Sequence, residues 1–144
     1  MNSKVTLIPM KEDDLLFLLE IRNHESTRSQ LEDDSIFSLE QCQLWFSNLS
    51  SPWYIINNHQ NIPVGYFRTN GDVIGADIHT KFRRNGYAKS AFEVYLHDKD
   101  FASLEVFEDN FAIELYKKIG FKNKQTPCIT ITDKSQLTMA FDFL

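Results

Sequence analysis

Apolar residues in the first third of the chain recur with helical spacing in two stretches. The first stretch follows a short alternating strand at residues 5 to 8 and a run of acids, and it extends to about Arg22. Its leucines Leu15, Leu18 and Leu19 fall on one helix face. The pattern therefore predicts a strand followed by an amphipathic helix whose buried stripe is formed by these leucines.

A second helix is predicted after a polar stretch. Residues 23 to 37 are polar and weakly periodic, which is typical of a loop with at most one irregular helical turn. Ser38 has the residue type of an N-cap, and Gln41 follows it as in a capping box, while Pro52 stops the pattern. The stripe expected to be buried consists of Leu39, Cys42, Phe46 and Leu49.

The middle of the chain changes to strand patterns. Residues 53 to 56, 62 to 69 and 72 to 78 each have the composition and alternation of a strand. The dipeptide Asn70-Gly71, between the second and the third, is a strong short-range signal of a hairpin turn. Three consecutive antiparallel strands are therefore predicted.

Helices and strands alternate in the remainder. Apolar residues at helical spacing predict a helix after the third of these strands, with the stripe Ala88, Ala91, Phe92, Tyr95 and Leu96. A strand at residues 104 to 107 and a helix ending near Ile119 follow, with Gly120 as the residue after the cap. Strands at residues 128 to 132 and 136 to 143 complete the chain.

Composition narrows the class of protein. The chain has 144 residues, 42% of them hydrophobic and 13% aromatic, which suits a single domain spanning residues 1 to 144. A net charge of −5 argues against a nucleic-acid partner. Cys42 and Cys128 are far apart, and the four histidines are scattered, so the sequence predicts neither a disulfide framework nor a metal site. The start of the chain lacks a secretory signal pattern, and the apolar run at residues 15 to 19 is too short to span a bilayer. We therefore expect a cytoplasmic protein without a membrane partner.

The segment from Arg83 to Lys89 joins a predicted strand to a predicted helix. Gly86 falls where the helix begins, so the backbone can approach a ligand closely, and the unpaired amides of the first turn point outward. Arg83, Arg84 and Lys89 add cationic donors. The segment predicts a binding site for a diphosphate, against the alternative of a basic surface loop that happens to contain a glycine.

Two segments together resemble a known family. The first is Arg-x-x-Gly-x-Ala at residues 83 to 88, and the second is Asn…Ala-Ile-x-Leu-Tyr-Lys-Lys-x-Gly-Phe at residues 110 to 121. This pair resembles the acetyl-CoA-binding core of the GNAT superfamily of N-acetyltransferases. The matched region covers roughly residues 72 to 121, and the order of predicted elements is similar to the GNAT fold over nearly the whole chain.

The resemblance implies an α+β (α/β) fold with a mixed central sheet of about six to seven strands, about four helices on both faces, and a splayed cleft between strands 4 and 5. In that family the pantetheine arm of acetyl-CoA pairs with exposed backbone of the strand before the phosphate turn, which here is residues 76 to 79. The implied cosubstrate is acetyl-CoA. The implied cofactor-binding residues are Asp77, Ile78, His79, Arg83, Arg84, Asn85, Gly86, Tyr87, Ala88, Lys89 and Asn110.

The resemblance also implies a proton donor. The tyrosine of the second segment, Tyr116, would protonate the sulfur of CoA, and a phenol with its ordinary pKa of about 10 is protonated at pH 7. The alternative is that Tyr116 belongs only to the buried stripe of its helix. Family members commonly place an asparagine seven residues before this tyrosine, whereas Asn110 is six before it. Asn110 therefore either contacts the cofactor or caps the helix.

Glu105 is the first candidate for the general base. It lies on the strand that would line the cleft, as does the carboxylate that some relatives use, and partial burial there would raise its pKa. Asp77 and His79, on the opposite strand, are alternatives. A structural or solvated role is the other possibility for all three residues.

The region that contains Arg22, Arg28 and Trp45 resembles part of the acetyltransferases acting on nucleotide-linked amino sugars, and ribosomal-protein N-terminal acetyltransferases share part of it. By this resemblance, the two arginines would engage an acceptor diphosphate and Trp45 would stack on a base or a sugar. The alternative is a pair of surface arginines and a half-buried tryptophan.

These observations predict an acetyl-CoA-dependent N-acetyltransferase that acts directly on a primary amine. The acceptor expected first is a small molecule such as an amino sugar, ahead of a protein N-terminus. The alternative from another class is a noncatalytic acyl-CoA-binding module with a regulatory role. We expect a monomer or a homodimer.

Overall fold

The computed structural model describes residues 4–29, 35–97, 99, 101–107, 113–123, 128–129 and 135–142. The strands are β1 (Val5–Pro9), β2 (Tyr54–Asn58), β3 (Pro63–Asn70), β4 (Val73–Ile78), β5 (Phe101–Phe107), β6 (Lys122–Asn123), β7 (Cys128–Ile129) and β8 (Ser135–Asp142). The helices are α1 (Leu15–Arg22), α2 (Glu25–Arg28), α3 (Leu39–Ser47), α4 (Tyr87–Leu96) and α5 (Ile113–Ile119). Short 3₁₀ turns precede α1, at Glu12–Asp14, and α4, at Thr80–Phe82.

The strands form one mixed sheet. Its first part is an antiparallel meander of β1 to β4, and its order continues through β5, β8 and β6, with β7 paired to β8. The predicted number of strands is wrong, since eight strands are described. The strand that the sequence did not predict is β6, whose two residues, Lys122 and Asn123, are of types depleted in strands, whereas the equally short β7 begins the strand predicted at residues 128 to 132.

Strands β4 and β5 pair at one position only. They run parallel, and their single pair of partners is Val73 and Ser103, near the beginning of both strands. Beyond that pair they separate, while β4 remains paired to β3 as far as Ile78. The described structure therefore contains the splay between strands 4 and 5 that the family resemblance implied.

The turn between β3 and β4 lies one residue later than predicted. Asn70 pairs with Val73, so the two turn residues are Gly71 and Asp72 rather than Asn70 and Gly71. Gly71 has a φ of 61°, which glycine adopts without steric cost. Asn70 is therefore the last paired residue of β3, and its pairing with Val73 sets the register between β3 and β4.

Helices cover both faces of the sheet. Ile55 and Ile56, neighbours in β2, are buried in different clusters because successive strand residues point to opposite faces. The cluster around Ile56 contains residues of α4 and α5, and the cluster around Ile55 contains residues of α1 and α3.

Among the described residues, no helix combines the length and apolar character needed to cross a membrane.

Two predicted helix stripes need correction. In α1 the buried residues are Leu15, Leu18 and Ile21, while Leu19 is only partly buried, because the helix presents its i, i+3, i+6 line to the sheet. In α3 only Cys42 is buried, and Leu39 is 38% exposed. The capping box of α3 is confirmed: the backbone N–H of Gln41 donates to Ser38 Oγ over 3.2 Å, and the N–H of Ser38 donates to Gln41 Oε1 over 2.8 Å.

Candidate functional site

A cleft of about 550 Å³ opens where β4 and β5 separate. Four elements line it: the end of β4, α2, the segment from the second 3₁₀ turn into α4, and α5. The lining residues include Ser26, Thr27, Ala76, Asp77, Ile78, Arg83, Arg84, Gly86, Tyr87, Ala88, Lys89 and Tyr116. The structure therefore brings the predicted phosphate turn and the predicted proton donor to one cavity.

The backbone before α4 is shaped for close approach of a ligand. Gly86 is the N-cap of α4 and has a φ of 78°, and Arg84 is also left-handed, with a φ of 66°. The Asn85 side-chain amide donates to the carbonyl groups of Phe82 and Arg83, which closes the turn. The amides of residues 87 to 89 have no partner within the helix, and the first turn of α4 contains no acid. This arrangement can bind an anion through main-chain N–H groups.

Arg83 is held by protein groups. Its Nε donates to the carbonyl of Ile78 over 3.0 Å, Nη1 donates to Ser26 Oγ over 2.7 Å, and Nη2 donates to Thr27 Oγ1 over 3.1 Å. These bonds tie α2 to the phosphate turn. Arg83 lines the cleft as predicted, but three of its donors position the wall of the cleft instead of facing it.

Tyr116 reaches the cleft from α5. It is 7% exposed, and its ring packs edge-on against Phe92 and Phe121 at centroid distances of 5.6 and 6.3 Å. Burial raises the pKa of its phenol to about 12, with the guanidinium of Arg68 opposing this effect and the carboxylate of Asp77 adding to it. The phenol is therefore protonated at neutral pH.

The end of α5 fixes the backbone of Tyr116. Gly120 has a φ of 124°, and its N–H donates to the carbonyl of Lys117, while the N–H of Phe121 donates to the carbonyl of Tyr116. This is the Schellman pattern, with Phe121 in contact with Tyr116. The predicted role of Gly120 as the residue after the cap is confirmed.

A polar cluster near Tyr116 consists of the buried Tyr66 and the partly buried Arg68 and Asp77. Asp77 lies opposite Tyr66 in the β3–β4 pair, and its Oδ2 is 3.1 Å from Arg68 Nε, in the geometry of an ion pair rather than of an aligned hydrogen bond. Burial raises the pKa of Tyr66 well above its ordinary value, and the Asp77 carboxylate adds to this. Sequence reasoning missed Arg68. The sequence did not reveal it, because the register that sets Arg68 opposite Gly75, two residues from Asp77, depends on a turn that lies one residue later than predicted.

Gly75 makes room for Arg68. A Cβ added to Gly75 would lie 2.6 Å from Arg68 Cζ, so the guanidinium would have to shift. We expect Gly75→Ala to move the guanidinium away from Asp77 and to lower the free energy of unfolding by about 1–3 kcal/mol, because the largely buried carboxylate loses its charged partner. Chemical denaturation measures this. In an Arg68→Ala background, Gly75→Ala should lower the free energy of unfolding much less. Equal losses in the two backgrounds would contradict the contact between position 75 and Arg68.

His79 is directed away from the cleft. Its ring stacks on Phe17 at 6.0 Å, Nε2 is 3.3 Å from Glu20 Oε2, and Nδ1 accepts from the N–H of Lys81. Its backbone N–H donates to the carbonyl of Val64. Within the described structure the cleft is lined by residues 76–78 of β4 and not by His79. The structure thus brings Asp77, but not His79, to the cavity.

Two predicted residues cannot be placed as side chains. The backbone of Glu105 belongs to β5 and pairs with Thr138, but its side chain lies outside the described part of the structure. Asn110 lies outside the described residues altogether. Their roles as base and as cofactor contact stay predictions.

The predicted acceptor residues are only partly brought together. Arg22 and Trp45 line a second, smaller cavity of about 160 Å³, together with Leu18, Phe37, Gln41, Cys42 and Trp53. The guanidinium carbon of Arg22 is 4.7 Å from the centre of the Phe37 ring, and its Nη1 donates to the carbonyl of Ser35. Arg28 does not line this cavity, and its Nε donates to the carbonyl of Asn23.

Known structures share this architecture over almost the whole chain. Spermidine N-acetyltransferase from Vibrio cholerae, in complex with CoA and spermine, superposes with a TM-score of 0.81 at 16% identity, over 97% of this chain and 96% of the other. An acetyltransferase (GNAT family) from Bacillus anthracis gives 0.75 at 14% identity, over 98% and 96%. AAC(6')-Ib in complex with ribostamycin and coenzyme A gives 0.75 at 20% identity, over 97% and 94%.

Comparison at the level of sequence gives no match. No protein-family model and no curated protein matches this chain. At identities of 14–20% the structural likeness concerns the fold. The chain therefore has the mixed α+β fold of GNAT acetyltransferases, as the two sequence segments predicted.

Proposed function

We propose that this protein is an acetyl-CoA-dependent N-acetyltransferase that transfers the acetyl group directly to a primary amine of a small molecule. One observation carries the proposal: the glycine-capped start of α4, the edge of β4 from which β5 has separated and the buried phenol of Tyr116 line the same cleft. The fold, which is shared with acetyltransferases solved with CoA, supports the same cosubstrate.

The cleft offers each part of acetyl-CoA a matching surface. The diphosphate would bind to the amides at residues 86 to 89, with Arg84 and Lys89 as nearby cations. The pantetheine arm, which contains two amide groups, would pair with the backbone of β4 beyond Val73, where β5 has separated. This places the thioester between the end of β4 and Tyr116.

Transfer requires movement of two protons. A neutral amine attacks the thioester carbonyl, the C–N bond forms, and the C–S bond breaks as the tetrahedral intermediate collapses. Tyr116 would donate its proton to the departing sulfur. A phenol with a pKa of about 12 is a weak acid, so this transfer requires a strongly basic thiolate, and burial of the CoA sulfur in the cleft would raise the pKa of its thiol in the required direction.

A carboxylate would remove the proton from the attacking amine. Of the predicted bases whose side chains the structure describes, Asp77 lines the cleft and His79 does not, and the ion pair with Arg68 holds the Asp77 carboxylate in place. Glu105, whose backbone belongs to β5, remains the other candidate. Either group could act directly or through one water molecule.

A cationic small-molecule acceptor fits the charge of the chain. The net charge of −5 favours the approach of protonated amines over that of anionic acceptors. Two structural neighbours were solved with spermine and with ribostamycin, which are small molecules that carry primary amines. Arg22 and Arg28 donate to backbone carbonyls, which gives an acceptor diphosphate less support than a simple amine. A nucleotide-linked amino sugar remains the alternative acceptor.

An acceptor screen tests the proposal. The purified protein should release free CoA from acetyl-CoA when it is given polyamines, aminoglycosides or amino sugars, and mass spectrometry should find the acetylated amine. Nucleotide sugars and short peptides are tested separately, so that a nucleotide-linked amino sugar and a protein N-terminus can each be recognised as the acceptor. Binding of acetyl-CoA without transfer to any arm would favour the noncatalytic module instead.

A further inference from the structure

We propose that Lys4, the residue before β1, contributes a cation to the diphosphate site at the start of α4. This inference rests on the proposed function, since it concerns the same acyl-CoA cleft. Lys4 is 81 positions from Asn85 in sequence, so no motif around the turn includes it.

The position of Lys4 is fixed by its neighbours. Val5, the next residue, is 2% exposed and belongs to the same core cluster as Ala91 and Phe92 of α4. The backbone of Lys4 is therefore anchored beside α4, and its exposed side chain extends to the turn. There Nζ donates to the carbonyl of Asn85 over 3.2 Å.

The ammonium group of Lys4 lies over the glycine of the turn. A Cβ added to Gly86 would stand 3.2 Å from Lys4 Nζ, and Gly86 itself lines the cleft. Because Nζ lies beside Gly86, the N-cap of α4, the ammonium group can contact an anion bound at the first-turn amides: it has three donors, and Asn85 uses one.

The charge around the turn is unbalanced. Lys4, Arg84 and Lys89 surround the positive end of α4, whose first turn has no acid. Within the part of the chain that the structure describes, none of these three cations is paired with a carboxylate. Like charges gathered at a helix N-terminus are unfavourable unless an anion binds there.

Lys4 also compensates for Arg83. The sequence predicted Arg83 as a phosphate contact, but its guanidinium is bonded to Ile78, Ser26 and Thr27. With that cation committed to the wall of the cleft, Lys4 supplies a further cation at the turn.

The test compares Lys4→Gln with Lys11→Gln, which removes the same charge at another exposed lysine. Titration calorimetry would use acetyl-CoA, dephospho-CoA, which keeps the diphosphate but lacks the 3′-phosphate, and S-acetylpantetheine, which has no diphosphate. We expect Lys4→Gln to weaken binding of the first two alike, by about three- to tenfold, as for a partly exposed ion pair. Binding of S-acetylpantetheine should not change, Lys4→Arg should retain affinity, and added salt should reduce the difference.

Each other outcome is informative. Equal affinities of Lys4→Gln and wild type for acetyl-CoA would overturn the inference and leave the proposed function intact. A loss seen with acetyl-CoA but absent with dephospho-CoA would overturn it too, because the contact would then be with the 3′-phosphate. Failure of the wild-type protein to bind acetyl-CoA would overturn both.

Discussion

Gly86→Trp is expected to weaken the binding of acetyl-CoA by at least about a hundredfold, which corresponds to ~2.7 kcal/mol. Gly86 lines the cleft at the start of α4, so an indole there would cover the amides that should face the diphosphate. Its Cβ would also approach the ammonium group of Lys4 and push it aside. Titration calorimetry with acetyl-CoA measures the change.

The matched control for Gly86→Trp is Gly71→Trp. Gly71 has a φ of 61°, close to the 78° of Gly86, so both substitutions impose similar backbone strain, of about 1–2 kcal/mol. A Cβ on Gly71 meets nothing within 4 Å, and Gly71 does not line the cleft. Gly71→Trp should therefore lower the melting temperature to a similar extent and leave the affinity for acetyl-CoA unchanged. Unaltered affinity in Gly86→Trp would remove the cofactor assignment.

Tyr116→Phe is expected to reduce turnover by about a hundredfold, at the lower end of the contribution of a general acid, without weakening the binding of acetyl-CoA. The substitution keeps the ring between Phe92 and Phe121 and removes only the hydroxyl. Steady-state release of CoA with an identified acceptor measures the rate, and calorimetry measures the affinity. A rate equal to that of wild type would retire the acid role and leave Tyr116 as a core residue.

Tyr54→Phe is the control for removal of a phenol. Tyr54 is partly buried against the same core cluster, but it does not line the cleft. Its variant should keep the wild-type rate. A second readout separates the protonation of Tyr116 from its packing: folding raises its pKa from 10.0 to about 12. The raised pKa stabilises the wild-type protein fully below pH 10, and this contribution should disappear between pH 10 and 12. Tyr116→Phe should lack that loss.

The order of elements was predictable from sequence because each element carries its own local signal. The capping box at Ser38, the glycine of the β3–β4 turn and the glycine after α5 all act over a few residues, and the structure contains each of them. The strand β6 was not predictable, since pairing with β8 rather than any pattern of its own makes it a strand.

The candidate site was predictable only where it is contiguous in sequence. The phosphate turn and Tyr116 lie within segments that resemble a family, and the structure places both on one cleft. Arg68 and Lys4 come from β3 and from the residue before β1, so only the three-dimensional register reveals them. The same limit explains Arg83, whose bonds to α2 depend on a contact across more than fifty residues.

The single rung between Val73 and Ser103 has a mechanical consequence. As far as the chain is described, the sheet consists of two halves, β1 to β4 and β5 to β8, which pair with each other at that rung alone. A ligand that hydrogen-bonds along β4 and fills the gap would act as a splint between the halves. Occupancy would then resist their separation and raise the unfolding temperature in proportion to the logarithm of ligand concentration. The two halves of the sheet would then resist separation most when a ligand is bound and least just after the product leaves.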